Sequence, residues 1–150
     1  MSVKAQTIRS TFSRETSISI DINADVSIIW ALLTNAVDHP RWNSTVTFIE
    51  GQIALGEKIR LKSTLDAKRI FKLTVKEFVP GKRLVWGDSQ GNRVYTMGQN
   101  SNGSAKFSMA EKIGGLMFPL YAGMIPPFDQ SFEQFANDLK KESETIMNSK

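Results

Sequence analysis

Apolar and polar residues alternate strictly in ETSISIDI, where Ile18, Ile20 and Ile22 stand against Ser17, Ser19 and Asp21. A period of two sends successive side chains to opposite faces, so this segment predicts a strand with one buried and one wet face. From Val26 the spacing changes to three and four, through Ile29, Trp30 and Leu33. That is a short helix with Asn23 or Asp25 available as N-cap, ending near Asn35. DHPRWN then reads as a second, very short helical turn, because Asp38 can cap it, Pro40 suits a first turn and Trp42 gives one large apolar anchor. Residues 1–14 carry no periodicity and are expected to be a loose leader.

From there to Glu111 the pattern predicts six strands in a row. VTFIE is the first. In KIRLKS, Ile59 and Leu61 oppose Lys58, Arg60 and Lys62; in RIFKLTVKEF, Phe71, Leu73 and Val75 oppose Lys72, Thr74 and Lys76. Pro80–Gly81 is a turn that leads into KRLVWGDS, with Leu84 and Trp86 on one face. A turn at Gln90–Asn92 precedes RVYTMGQ, and Asn102–Gly103 precedes SAKFSMAEK, where Phe107 and Met109 share a parity. Short turns make neighbouring strands antiparallel. The last element is a long amphipathic helix. Pro126 and Pro127 suit its start, and Phe128, Phe132, Phe135, Ala136 and Leu139 form its apolar stripe.

One antiparallel sheet of about seven strands must cover its apolar face, and the C-terminal helix is the only large element able to do so. The fold class is therefore α+β: a curved antiparallel sheet wrapped around a long C-terminal helix, with two short helices after the first strand. A twisted sheet closed over one helix leaves room that side chains need not fill. The expected lining of that cavity is Phe71, Leu73, Trp86, Tyr95 or Val94, Phe107 and Met109 on strands. Met117, Phe118, Tyr121 and Met124 would come from the segment before the last helix, and Phe128, Phe132 and Phe135 from the helix.

Several strings in this order resemble the SRPBCC superfamily, the START-like or pollen-allergen-like helix-grip proteins. The opening TSISIDINADVSIIWALLTNAVDHPRWNSTV is similar to theirs at Val26, Trp30, Pro40 and Trp42. FVPGKRLVWG resembles the family's frequent P-G-x-x-L-x-W at Pro80, Gly81, Leu84 and Trp86, and the final helix matches in length and position. The resemblance spans about residues 16–146 and implies a fold that binds hydrophobic ligands. Its members include lipid carriers, hormone receptors, polyketide cyclases and chaperone co-activators, so function must be argued from the site.

Composition narrows the chemistry. The chain has 150 residues, one domain's worth, and no cysteine, which excludes disulfides, a thiolate nucleophile and Cys-ligated metals. His39 is the one imidazole and lies beside Pro40 in a turn expected at the sheet edge, without a partner for base catalysis. The net charge of +4 is dispersed along strands, which favours a solvated sheet face over a nucleic-acid footprint. The N-terminus has no apolar run of the kind a secretory signal needs, which favours a cytoplasmic location. The uncharged stretch from Ile113 is too short and too rich in Gly and Pro to span a membrane. Its Met and Phe side chains among glycines could form a gate or a plug.

Asp66, Glu77, Asp88 and Glu111 could approach the cavity from strand ends, although no spacing marks a carboxylate pair. Arg69 and Arg93 could orient a polar ligand group if they point inward; for Arg69 that requires a strand regular to its first residue. Trp30 and Trp42 are expected to staple the short helices to the sheet. The leading expectation is a non-catalytic binder of a small hydrophobic or amphipathic molecule, with no cofactor and no metal, as a monomer or homodimer. A polyketide cyclase or dehydratase is the alternative, and a protein-interaction or stress-related module with a closed cavity the third.

Overall fold

The alternation of Ile18, Ile20 and Ile22 continues backwards through Thr16 and Arg14, which are as buried as the isoleucines. In the computed structural model, which describes residues 3–150, this phase produces a strand beginning at Ser13. The strands are β1 (Gln6–Arg9), β2 (Ser13–Ile22), β3 (Val46–Glu50), β4 (Lys58–Ser63), β5 (Asp66–Val79), β6 (Arg83–Gly87), β7 (Gly91–Gln99) and β8 (Ala105–Gly114). They form one antiparallel sheet in the order β1-β2-β8-β7-β6-β5-β4-β3. The helices are α1 (Val26–Thr34), α2 (His39–Trp42), α3 (Phe118–Tyr121) and α4 (Asp129–Asn148). This is the expected helix-grip architecture, with eight strands where about seven were expected.

The additional strand corrects the expectation of a loose leader. Residues 1 and 2 lie outside the described residues, but β1 pairs with β2 along its whole length, Gln6 opposite Ser17. Its ordering comes from polar contacts that periodicity does not reveal. The Ala5 amide donates to Glu133 Oε2 at 2.9 Å, and the Thr7 hydroxyl donates to Asp129 Oδ1 at 2.8 Å while meeting the Thr16 hydroxyl at 2.9 Å.

The stripe on α4 docks onto the inner face. Phe132, Phe135, Ala136, Leu139 and Ser143 are all buried. Phe135 is the hub: its ring centre lies 5.6 Å from Trp42, 5.8 Å from Tyr95 and 6.1 Å from Phe107. Helix α1 covers the end of this core with Ile28, Ile29, Leu32 and Leu33. The half of the sheet away from β2 is irregular, with register shifts between β3 and β4, β4 and β5, and β5 and β6. Such bulges bend strands. The last one, between Val75 and Glu77, turns both Val75 and Phe78 inward, opposite Trp86 and Leu84. Gly81 closes the β5–β6 hairpin at φ 72°, a backbone region that favours glycine.

Candidate functional site

Parity along the strands places one polar row on the inner face. Thr16 lies opposite Glu111, Glu111 opposite Arg93, and Arg93 opposite Trp86, across β2, β8, β7 and β6. Glu111 stands two residues beyond Met109 and Arg93 two before Tyr95, so both share the face of the core. Opposite charges directly across a ladder are close enough to pair. Arg93 Nε donates to Glu111 Oε1 at 2.6 Å, and both side chains are only 18% exposed. The guanidinium carbon sits 5.0 Å from the centre of the Phe132 ring. Burial disfavours charge on Arg93, but the Glu111 carboxylate and the neighbouring Tyr95 oxygen together outweigh it and raise the guanidinium's pKa. Burial likewise pushes the Tyr95 phenol up to about 12, an effect the Arg93 charge partly opposes, so this hydroxyl stays protonated at neutral pH.

A cavity of about 170 Å³ opens over this pair, between β4–β8 and the start of α4. Leu61, Phe71, Leu73, Trp86, Ile113 and Phe128 give its apolar walls, while Asp66, Arg69, Asp88, Arg93 and Glu111 supply charge. Arg69 has the parity of Phe71, and its guanidinium lies 4.5 Å from that ring's centre, so β5 is regular enough at its start to turn Arg69 inward. Asp88 Oδ1 accepts the backbone amides of Gln90 at 2.8 Å and Gly91 at 3.2 Å and thereby shapes the β6–β7 turn at the rim. Gly87 lets that turn close: a Cβ there would stand 2.3 Å from the Gly91 carbonyl oxygen.

The end wall is held by a residue that the pattern did not single out. Arg14, 3% exposed, donates from Nη1 to the Ile125 carbonyl at 3.2 Å and from Nη2 to the Pro126 carbonyl at 2.8 Å, with its charge 4.9 Å from the Phe128 ring centre. Burial and the nearby Arg9 charge lower its pKa, and Asp129 and Glu111 oppose that. Its parity with Ile18 was the available signal. The segment it anchors acts as a plug and wall: Phe118 is buried and packs edge-on against Tyr121 at 5.6 Å, while Ile125, Pro126 and Met124 line the cavity.

Of the expected lining, the structure brings together Phe71, Leu73, Trp86, Met124 and Phe128. The others lie elsewhere. Tyr95, Phe107 and Met109 are buried in the core against Phe132 and Phe135 of α4, where aromatic packing fills the space expected to be empty. Val94 belongs to the opposite parity, paired with Val85 and Ala110. Met117 is exposed, and Phe118 and Tyr121 pack beside the cavity without lining it. Glu77 pairs with Arg83 at 3.0 Å and is not part of the site. Leu61, Ile113, Ser63 and Ser131 line the cavity and went unread as site residues.

His39 is a structural residue. It is 1% exposed, Nε2–H donates to the Leu33 carbonyl at 2.8 Å, and Nδ1 accepts from Asn43 Nδ2 at 3.2 Å. Both ring nitrogens are thus used by the neutral form. Trp42 lies tilted beside it at 4.9 Å, and Trp30 meets Phe78 edge-on at 5.2 Å, each stapling a short helix. Burial lowers the His39 pKa below its usual 6.5, against the Leu33 carbonyl and Asp38. The unfolded chain therefore binds the proton more readily, and this contribution is fully present above pH 6.5 and lost as pH falls through the lower folded value. The melting temperature should fall between pH 7 and pH 5, and His39→Gln should flatten that slope. An unchanged slope in the variant would assign the acid sensitivity elsewhere.

Among the described residues, no group of three or more His, Asp or Glu side chains is placed to hold a metal ion, and no helix is long and apolar enough to cross a membrane. The sheet, its gripped helix and the cavity between them define a helix-grip protein with the fold of the START-like, SRPBCC-type proteins. The chain superposes on a START superfamily protein from Mycobacterium smegmatis with a TM-score of 0.65 and 14% identity, covering 88% of this chain and 98% of that one. A protein from Rhodobacter sphaeroides gives 0.66 at 18% identity over 95% and 99%. DynU16, from the dynemicin biosynthetic locus, gives 0.66 at 15% identity over 91% of this chain and 49% of that one, so this chain spans about half its length. No family model matches the sequence, and no curated protein does.

Proposed function

We propose that the protein binds a small hydrophobic or amphipathic molecule in the cavity between the sheet and α4, without catalysing a reaction. The observation that carries this reading is the cavity itself, walled by Phe71, Leu73, Trp86 and Phe128 over the Arg93–Glu111 pair. Its size is informative: about 150 Å³ of apolar cavity accommodates one benzene ring. The ligand would place about one ring inside and extend any larger part past the exposed lining residues Asp66 and Arg69. The absence of cysteine and the structural use of His39 support binding over catalysis.

A polyketide cyclase-like activity is the second reading, favoured by the inward Arg69, Arg93 and Glu111, which could hold the carbonyls of a poly-β-ketone during aldol closure. The fold shared with a protein of the dynemicin biosynthetic locus agrees with that reading. An interaction module with a filled cavity fits less well, because the space is open.

Native mass spectrometry with fatty acids, sterols and aromatic polyketides tests the binding proposal. One class should bind at micromolar concentration, and Leu73→Trp, which fills the cavity, should weaken it at least tenfold. Failure of every class to bind would overturn the proposal, and turnover of a poly-β-ketone would replace it with the second reading.

A further inference from the structure

The charges around the cavity select among ligands that its size admits. Arg93 is already neutralised by Glu111, and the carboxylate is bound through Oε1 alone. Glu111 Oε2 has no hydrogen-bond donor among the described residues. Arg14, the next cation, is committed to the Ile125 and Pro126 carbonyls. At the rim, Asp66 accepts the Lys68 amide and Asp88 the Gln90 and Gly91 amides, so both acids stay in place in the same lining as the exposed Arg69. The floor therefore presents a donor, the Arg93 guanidinium, directly beside an acceptor, the Glu111 carboxylate. A ligand carboxylate entering here would meet no unpaired cation at the floor and would have to share Arg93 with Glu111, whose like charge disfavours a second anion beside it. A neutral group with an acceptor and a donor side by side would satisfy both.

Resting on the ligand-binding reading above, we infer that the cavity selects neutral one-ring aromatic molecules bearing an adjacent acceptor and donor, such as an aryl amide, and rejects aryl carboxylates. The ring lies against Trp86 and Phe71; the polar group faces Arg93 and Glu111. Glu111 is the selecting residue, because removing its charge frees Arg93 to pair with an anion.

Titration at pH 7.5 with benzamide, benzoate and toluene, followed by the Trp86 indole signal in NMR spectra, tests this. Benzamide should bind at least tenfold more tightly than either of the others. In Glu111→Gln, benzoate should gain at least tenfold. Benzoate binding as tightly as benzamide to the unaltered protein, or no gain in a folded Glu111→Gln, overturns the inference. Toluene equal to benzamide overturns it too while leaving an apolar binding cavity standing, and failure of all three overturns the inference, the ligand-binding reading then standing or falling on the fatty acids, sterols and polyketides. The ratios in the unaltered protein decide the matter alone if the variant does not fold.

Discussion

Replacing Phe135 by alanine is expected to destabilise the protein by about 3–5 kcal/mol, the range for an aromatic ring removed from a core that cannot close over the gap. Phe135 is 2% exposed and is the one side chain of α4 in ring contact with Trp42, Tyr95 and Phe107 together. Those three partners cannot follow a retreating side chain. Tyr95 and Phe107 are fixed by the β7–β8 register, Tyr95 opposite Met109 and Met97 opposite Phe107, and Trp42 by its place in α2 beside His39. Domains of this size have only about 5–15 kcal/mol of total stability, so the variant would be marginal. The measurement is the midpoint of urea unfolding at unchanged slope. Phe135→Leu, which keeps most of the volume, should cost clearly less. A loss below about 1 kcal/mol for the alanine variant would mean that the core collapses around the gap, against the rigid packing described here.

Phe135 was legible from sequence because helical spacing and parity report burial, and these two periods recovered the sheet, the gripped helix and the core. They are weaker on what burial is for. Tyr95, Phe107 and Met109 carry the same inward parity as Trp86, yet only Trp86 borders open space. Parity tells which face a side chain takes; whether that face meets a cavity depends on how the rings of α4 fill the sheet. Val94, the alternative to Tyr95, takes the opposite face, paired with Val85 and Ala110. Arg14 and β1 escaped because hydrophobic patterning is silent about strands ordered by polar contacts, here Thr7 with Thr16 and Asp129, and Arg14 with two carbonyls. The Arg93–Glu111 pair required register. Eighteen positions apart in the chain, the two residues meet only because the β7–β8 turn sets Arg93 opposite Glu111.

That pair yields the second large effect. Arg93→Met and Glu111→Leu should each destabilise the protein by about 2–3 kcal/mol, somewhat below the figure for a fully buried pair because each side chain retains 18% exposure. Each single change strands the partner's charge among apolar side chains: Glu111 in a lining it shares with Phe128 and Ile113, or Arg93 against the Phe132 ring. The double variant leaves neither charge behind and replaces the pair with apolar side chains of similar length. Its stability should lie within about 1 kcal/mol of the original, giving a coupling of several kcal/mol in the double-mutant cycle. Strictly additive losses would show that the two side chains act independently. A stable double variant also separates folding from recognition, since it keeps the walls and removes only the donor and acceptor at the floor. It should bind toluene at least as well as the original and lose its preference for benzamide. A pair kept only for stability would leave that preference untouched, so retained discrimination in a folded double variant would place the recognition of polar groups elsewhere, with Arg69 at the mouth the next residue to substitute.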